Sequence, residues 1–171
     1  MAYPHIIALG DRVMKKQTLK TYVFWIALSE AVGILSGLLS RSGMMEFGEA
    51  VLQPPLSPPA IVFPIVWTIL YALMGISAAR VFLSDHSAER SFGLHLFCSQ
   101  LAVNFFWSII FFNIRNFGLA FLWLLLLIIL VAKMIKDFAQ IDLTAAKLQI
   151  PYLLWCIFAA ALNFGVWWLN R

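Results

Sequence analysis

Charged residues divide this chain into long apolar runs. Between Glu49 and Arg80 lie 30 residues without a charge, between Arg90 and Arg115 lie 24, between Arg115 and Lys133 lie 17, and between Lys147 and Arg171 lie 23. A fifth run, residues 21–40, is interrupted only by Glu30. A helix that crosses a bilayer needs about 20 mostly apolar residues. The runs lack the polar and apolar alternation of barrel strands, and backbone groups in hydrocarbon must be hydrogen-bonded within their own segment, so the pattern predicts helices. It places spans at about 19–39, 60–83, 91–113, 117–135 and 148–169. The expected fold class is an all-α integral membrane protein, a single five-transmembrane-helix bundle over residues 19–171 preceded by a short cytoplasmic lead-in, 1–18.

Composition agrees with the pattern. With 63% hydrophobic and 12% charged residues, the chain stands far from a soluble domain, which runs at about 45–50% apolar and about 25% charged. The bases are unevenly placed. Arg12, Lys15, Lys16, Lys20, Arg80, Arg90, Lys133, Lys136 and Lys147 fall on one side of the predicted bundle, and Arg41, Arg115 and Arg171 on the other. The positive-inside rule then puts the N-terminus in the cytoplasm and the C-terminus outside. The net charge of +4 reads as topology and contact with anionic lipid, not as a nucleic-acid footprint. The basic cluster precedes an apolar run too long for a secretory signal. The lead-in also lacks the Arg and Ser richness of a transit peptide, which points to a bacterial cell membrane.

Little in the chain suggests reaction chemistry. His5, His86 and His95 are scattered, with no pair at ligand spacing, so no metal site is expected. Cys98 and Cys156 lie in different spans without a CxxC or haem-attachment motif, which argues against a disulfide framework or a covalent cofactor. No catalytic triad, phosphate loop or paired-carboxylate motif is visible. Glu30 stands out, because a carboxylate in mid-span costs about 2.5–3.5 kcal/mol on insertion scales, so it must face inward or be protonated. Gly33 and Gly37 form a GxxxG on the first span, with a GxxxA counterpart at Gly75 and Ala79 on the second. Such spacing permits close helix contact, within the chain or in a homodimer. The segment 42–59 reads as one sizeable loop, stiffened by Pro54, Pro55, Pro58 and Pro59 into a lid-like connection.

At about 100° per residue, Phe63, Trp67, Tyr71, Met74 and Ala78 share a face of the second span. Gln100, Asn104, Trp107 and Phe111 form a stripe on the third, and Tyr152, Trp155, Ala159, Leu162 and Asn163 share a face of the fifth. Amides in hydrocarbon need partners, so these stripes should point into the bundle. An interior of flat rings with a few amides suits a large planar ligand. The alternative is ordinary packing, with Trp25, Trp123, Trp167 and Trp168 in interfacial belts.

The run Pro58-Pro59-Ala60-Ile61-Val62-Phe63-Pro64-Ile65-Val66-Trp67-Thr68-Ile69-Leu70-Tyr71-Ala72-Leu73-Met74-Gly75 resembles the translocator protein family, also called tryptophan-rich sensory proteins or peripheral benzodiazepine receptors (TspO/MBR). Further matches follow in order: Gln100-Leu101 with Asn104, Trp107 and Phe111-Phe112, then Pro151-Tyr152-Leu153-Leu154-Trp155 with Phe158-Ala159 and Leu162-Asn163. The resemblance implies a five-helix bundle, often dimeric, that binds porphyrins and haem-related tetrapyrroles, sterol-like molecules and benzodiazepine-type drugs. The role it implies is transport, sensing or scavenging. The resemblance also implies a cavity opening toward the proline-rich loop, with Asn104, Trp107, Trp155, Ala159 and Leu162 lining it, together with Leu56 and Phe63; Trp67 joins them by its face.

Two departures bear on activity. The family commonly carries a tryptophan two residues before the Pro-Pro pair, where this chain has Leu56. In some bacterial members that tryptophan and the one matching Trp155 are linked to light-dependent breakdown of protoporphyrin, so the resemblance supports an enzyme less than a receptor. Phe164 stands where the cholesterol motif of the animal proteins has tyrosine. An alternating-access transporter is a further reading, with Glu30 as its one intramembrane acid.

Overall fold

The computed structural model describes the backbone from Pro4 onward and the side chains from Lys15 onward, so His5, Arg12 and most of the lead-in lie outside the described side chains. The helices are α1 (Pro4–Leu39), α2 (Arg41–Ala50), α3 (Val62–Phe82), α4 (Ala88–Ser108), α5 (Phe117–Ile141), α6 (Leu143–Leu148) and α7 (Ile150–Leu169). A π-helical turn, Ile109–Ile114, continues α4. Five stretches are long and apolar enough to cross a membrane: Lys15–Leu39, Val62–Phe82, Ala88–Ile114, Phe117–Ile141 and Leu143–Leu169. The protein is a five-helix membrane bundle, and its fifth crossing is built from α6 and α7 together.

Besides the fifth crossing, which begins at Leu143 and not at residue 148, two features differ from those read off the charge gaps. Helix α5 continues past residue 135 to Ile141, because a charge ends an apolar run without ending a helix. Lys133 lays its ammonium 4.6 Å from the centre of the Phe92 ring, so its stem stays on the apolar surface while the head reaches outward. The helix stops at Asp142, whose extended backbone (φ −148°, ψ 107°) turns its carboxylate to accept from the N–H groups of Thr144 and Ala145 at the start of α6. The second difference is the segment 42–59, which is not one loop. Its first part is helix α2, and only residues 51–61, where the prolines lie, are non-helical.

Helix α2 is held by aromatic packing. Phe47 meets Phe111 at 5.2 Å, Phe112 at 5.4 Å and Phe117 at 6.2 Å between ring centres. A Cβ at Gly43 would stand 2.5 Å from the carbonyl oxygen of Phe112, so glycine lets α2 lie on the π-helical turn. Asn113 donates to the Leu39 carbonyl at 2.8 Å, and Arg115 pairs with Glu46. Arg115 ends the turn in the left-handed region at φ 56°. Farther on, Asn170 exchanges two hydrogen bonds with the backbone of Leu52, at 3.0 and 2.9 Å. Pro54 rests on Gly165 of α7, where a Cβ would approach it to 3.0 Å. This assembly is the lid end of the bundle.

Around the bundle, α1 packs on α3, α4 on α5 and α5 on α7, while α3 meets α7 only sparsely. The core between them holds Met74, Phe97, Leu127, Val131, Met134, Phe138 and Tyr152, all fully enclosed. At the end opposite the lid, called here the basic end for Lys15, Lys16, Lys20, Arg80 and Arg90, polar ties join α3 to α6. Arg80 pairs with Asp142 at 2.8 Å, and the Ser77 hydroxyl donates to the Ala145 carbonyl at 2.7 Å.

Candidate ligand site

Two of the three amides that the sequence turns inward, Gln100 and Asn104, lie in one chain of hydrogen bonds. The Tyr71 hydroxyl on α3 donates to Asn104 Oδ1 on α4 at 3.2 Å. Asn104 Nδ2 donates to the Tyr152 hydroxyl on α7 at 2.7 Å. That hydroxyl donates to Gln100 Oε1 at 2.9 Å, and Gln100 Nε2 reaches the Met74 sulfur at 3.8 Å. Three helices are thus joined by groups that leave almost no polar atom unmet. Gln100 and Tyr152 are fully buried and Asn104 nearly so, where an unmatched amide would cost about 1–3 kcal/mol. Phenols and amides orient a ligand edge, whereas no carboxylate or imidazole enters this chain of bonds to serve as a general base.

Indoles stand on the lid side of this layer. Trp67 stacks on Tyr71 with ring centres 5.5 Å apart and meets Tyr152 edge-on at 6.2 Å. Trp155 is half-buried. It meets Phe63 edge-on at 5.9 Å, across the sparse seam between α3 and α7, and leans on Phe158. Its indole nitrogen is buried yet has no hydrogen-bond partner among the described residues. Trp107 stacks on Phe111 at 5.1 Å and donates to Asn163 Oδ1 at 3.3 Å. Asn163 in turn donates to the Phe117 carbonyl at 2.9 Å, which ties α7 to the start of α5.

The structure therefore groups Trp67 with Asn104 through Tyr71 and Tyr152, pairs Phe63 with Trp155, and sets Trp107 with Phe111 and Asn163 nearer the lid. Ala159 is buried and Leu162 half-buried one and two turns along α7 from Trp155. Leu56 does not join them. The Ser57 N–H closes a turn onto the Pro54 carbonyl at 3.0 Å, and Leu56, third residue of that turn, points outward with 79% of its surface exposed. Trp25, a belt residue on the packing alternative, is instead in the core, edge-on to Phe97. Trp123 donates to the Val103 carbonyl at 2.8 Å, while Trp167 and Trp168 are exposed.

The small residues serve mainly within the chain. A Cβ at Gly75 would lie 2.4 Å from the Ile26 Cα, and one at Gly33 would lie 2.2 Å from the Tyr71 ring. Ala79 is fully buried. Gly37 alone of the four faces open space. Glu30 is half-buried on α1, between the positions that meet α3. Among the described residues no three His, Cys, Asp or Glu side chains gather where a metal could sit, and Cys98 and Cys156 are both free.

The sequence reading did not select Tyr71 and Tyr152 as site residues, although both lie on the stripes it identified. It also missed Phe47 and the π-helical turn, for which no periodicity gives a signal.

Residues 25–169 match the model of the TspO/MBR family. The chain is 34% identical over 158 residues to the tryptophan-rich protein TspO of Chlorobaculum tepidum, covering 92% of this chain and 99% of that protein. It is 36% identical over 141 residues to the translocator protein of Ovis aries, covering 81% and 83%, and 37% identical over 123 residues to protein CrtK of Rhodobacter capsulatus, covering 71% and 77%. On the family match, and on the extent of these likenesses from bacteria to sheep, the chain belongs to the TspO/MBR family.

Proposed function

We propose that this protein is a membrane receptor or carrier for planar, mostly apolar ligands, foremost porphyrins and haem-related tetrapyrroles, with sterol-like and benzodiazepine-type molecules as further candidates. The observation that carries the reading is Trp155. Its ring is half-buried beside Phe63 at the seam where α3 and α7 meet only sparsely, and its enclosed N–H has no partner among the described residues. A flat ring system entering there would gain about 25 cal/mol per Å² of apolar surface removed from water, before the costs of association. A carboxylate at its edge would satisfy the indole N–H. The phenol and amide layer of Tyr71, Asn104 and Tyr152 forms the floor.

The names translocator protein and tryptophan-rich sensory protein, carried by relatives in Ovis aries and Cereibacter sphaeroides, fit a role in transport or sensing. The excess of bases at the end opposite the lid supports a cytoplasmic N-terminus, so that the lid faces outward and a ligand arrives from that side. Gly37, open on α1, is the small residue available to a homodimer contact.

The test is a titration of the detergent-purified protein with protoporphyrin, followed in the dark by the shift of its Soret band. A saturable shift that Trp155→Phe weakens supports the receptor. A linear, unsaturable response, equal in both proteins, removes the pocket. Repeating the titration under illumination separates binding from breakdown: a stable spectrum leaves a receptor, and a light-dependent loss with a new product band makes the protein an enzyme.

A further inference from the structure

A concavity lies at the basic end, far from Trp155. Gln17, Lys20, Thr21, Phe24 and Trp25 of α1, with Phe82 from the end of α3, line an open cleft of about 340 Å³. Its floor is aromatic: Trp25 lies 5.6 Å from Phe24, 5.8 Å from Phe82 and 5.6 Å from Phe97 between ring centres. Its rim is polar and cationic. Lys20 is exposed and forms no ion pair among the described residues. Behind the aromatic wall the Arg90 guanidinium stands 5.0 Å from the Phe82 ring centre and is anchored to the Ser84 carbonyl at 3.4 Å. Arg90 is only 7% exposed, so this is a fixed positive charge and not a solvated one. The nearest acids in sequence, Asp85 and Glu89, are exposed and line none of the cleft.

The depth of the cleft identifies its occupant. Lys20 lies where the apolar run of α1 begins, and Trp25 is five residues farther along, about 7.5 Å deeper at 1.5 Å per residue. A cation at the level of lipid headgroups with an indole just beneath it matches, in order, the phosphate and the upper acyl chain of a phospholipid. We propose that this cleft is a binding site for an anionic phospholipid, with Lys20 and the Gln17 amide on the headgroup and Phe24, Trp25 and Phe82 against the chain. It is separate from the ligand site and independent of it.

The experiment uses the detergent-purified full chain without porphyrin, titrated with phosphatidylglycerol or phosphatidylcholine brominated near the top of the acyl chain, with tryptophan fluorescence as the readout. Brominated phosphatidylglycerol should quench more than brominated phosphatidylcholine, and Trp25→Phe should remove that excess. Lys20→Gln should weaken it about fivefold, the loss of one base at the membrane surface. Lys16→Gln, which removes the same charge outside the cleft, should leave it unchanged. Equal quenching by both lipids overturns the proposal. So does an excess that survives Lys20→Gln, or one that falls as far with Lys16→Gln, because the attraction is then diffuse. The two lysine arms change exposed side chains only, so they decide the question even if Trp25→Phe does not fold.

Discussion

Helix α3 has two long seams, and they are built in opposite ways. Against α1 it carries Gly75 where the neighbouring backbone arrives at Ile26, and it receives Gly33 over the ring of Tyr71. Against α7 it carries Phe63, facing Trp155 with ring centres 5.9 Å apart. Glycine lets two backbones close on each other, whereas facing aromatic rings prop them apart. The second seam is met by rings, Phe63 with Trp155 and Trp67 with Tyr152, and its basic end is tied by the Arg80–Asp142 pair, at the cap of α6, and by the Ser77–Ala145 hydrogen bond into α6. A bundle with two glycine seams would have no room for a ligand, and one with two aromatic seams would have no rigid wall to hold it against.

The largest effect should come from propping open the closed seam. Gly75→Leu places a side chain where even a Cβ would overlap the Ile26 backbone at 2.4 Å, and neither helix can yield without losing its own bonds. We expect a loss of about 3 kcal/mol in stability, read from unfolding in mixed micelles. A melting curve like that of the wild type would show that the α1–α3 contact is looser than described.

Next comes the layer that ties both seams together. Asn104→Leu leaves the hydroxyls of Tyr71 and Tyr152 without one partner each, for an expected cost of about 1–2 kcal/mol. It should also weaken the protoporphyrin response. An unchanged Soret titration in a folded Asn104→Leu protein would separate the floor from the site.

The tie at the basic end predicts a pH dependence. Burial pushes the Asp142 carboxyl up, but the N–H groups of Ala145 and Thr144 and the Arg80 guanidinium outweigh it and hold the carboxyl below the usual carboxylate range. A carboxyl held low in the folded protein and ordinary in the unfolded chain adds stability above about pH 4 that is lost as pH falls through its folded value. Asp142→Asn keeps the cap and removes the charge. It should cost at most about 1 kcal/mol at neutral pH and flatten the acid limb of a plot of Tm against pH. An acid limb as steep as the wild type's would place the sensitivity elsewhere.

The smallest effect tests the glycine that neither seam uses. Gly37 faces open space, so Gly37→Ala should raise stability by about 0.5–1 kcal/mol through helix propensity alone. A loss would mean that Gly37 meets something in the membrane, and analytical ultracentrifugation would then show whether that is a second copy.

Much of this arrangement is legible in the residues. The five crossings follow from the charge gaps, because hydrocarbon admits few charges and leaves the backbone no alternative to helix. Gln100, Asn104 and Asn163 could be turned inward on the same ground, since an amide in lipid has no partner. Leu56 shows where the resemblance stops: its match to the family's tryptophan position implied a lining residue, but a turn closed between Pro54 and Ser57 rotates it outward. Trp25, which only the packing alternative set in an interfacial belt, is buried at the basic end because Phe82 and Phe97 come to meet it.

The order of apolar runs and polar positions determined by itself that this chain crosses a membrane five times as helices and that its amides face inward, because lipid imposes those terms on each segment separately. Which seam closes on glycine and which is met by aromatic rings, that α2 folds onto a π-helical turn, and that the Trp155 N–H has no partner among the described residues were decided only in the tertiary structure. Those features depend on which side chains face each other across helices, and distance along a chain carries no record of that.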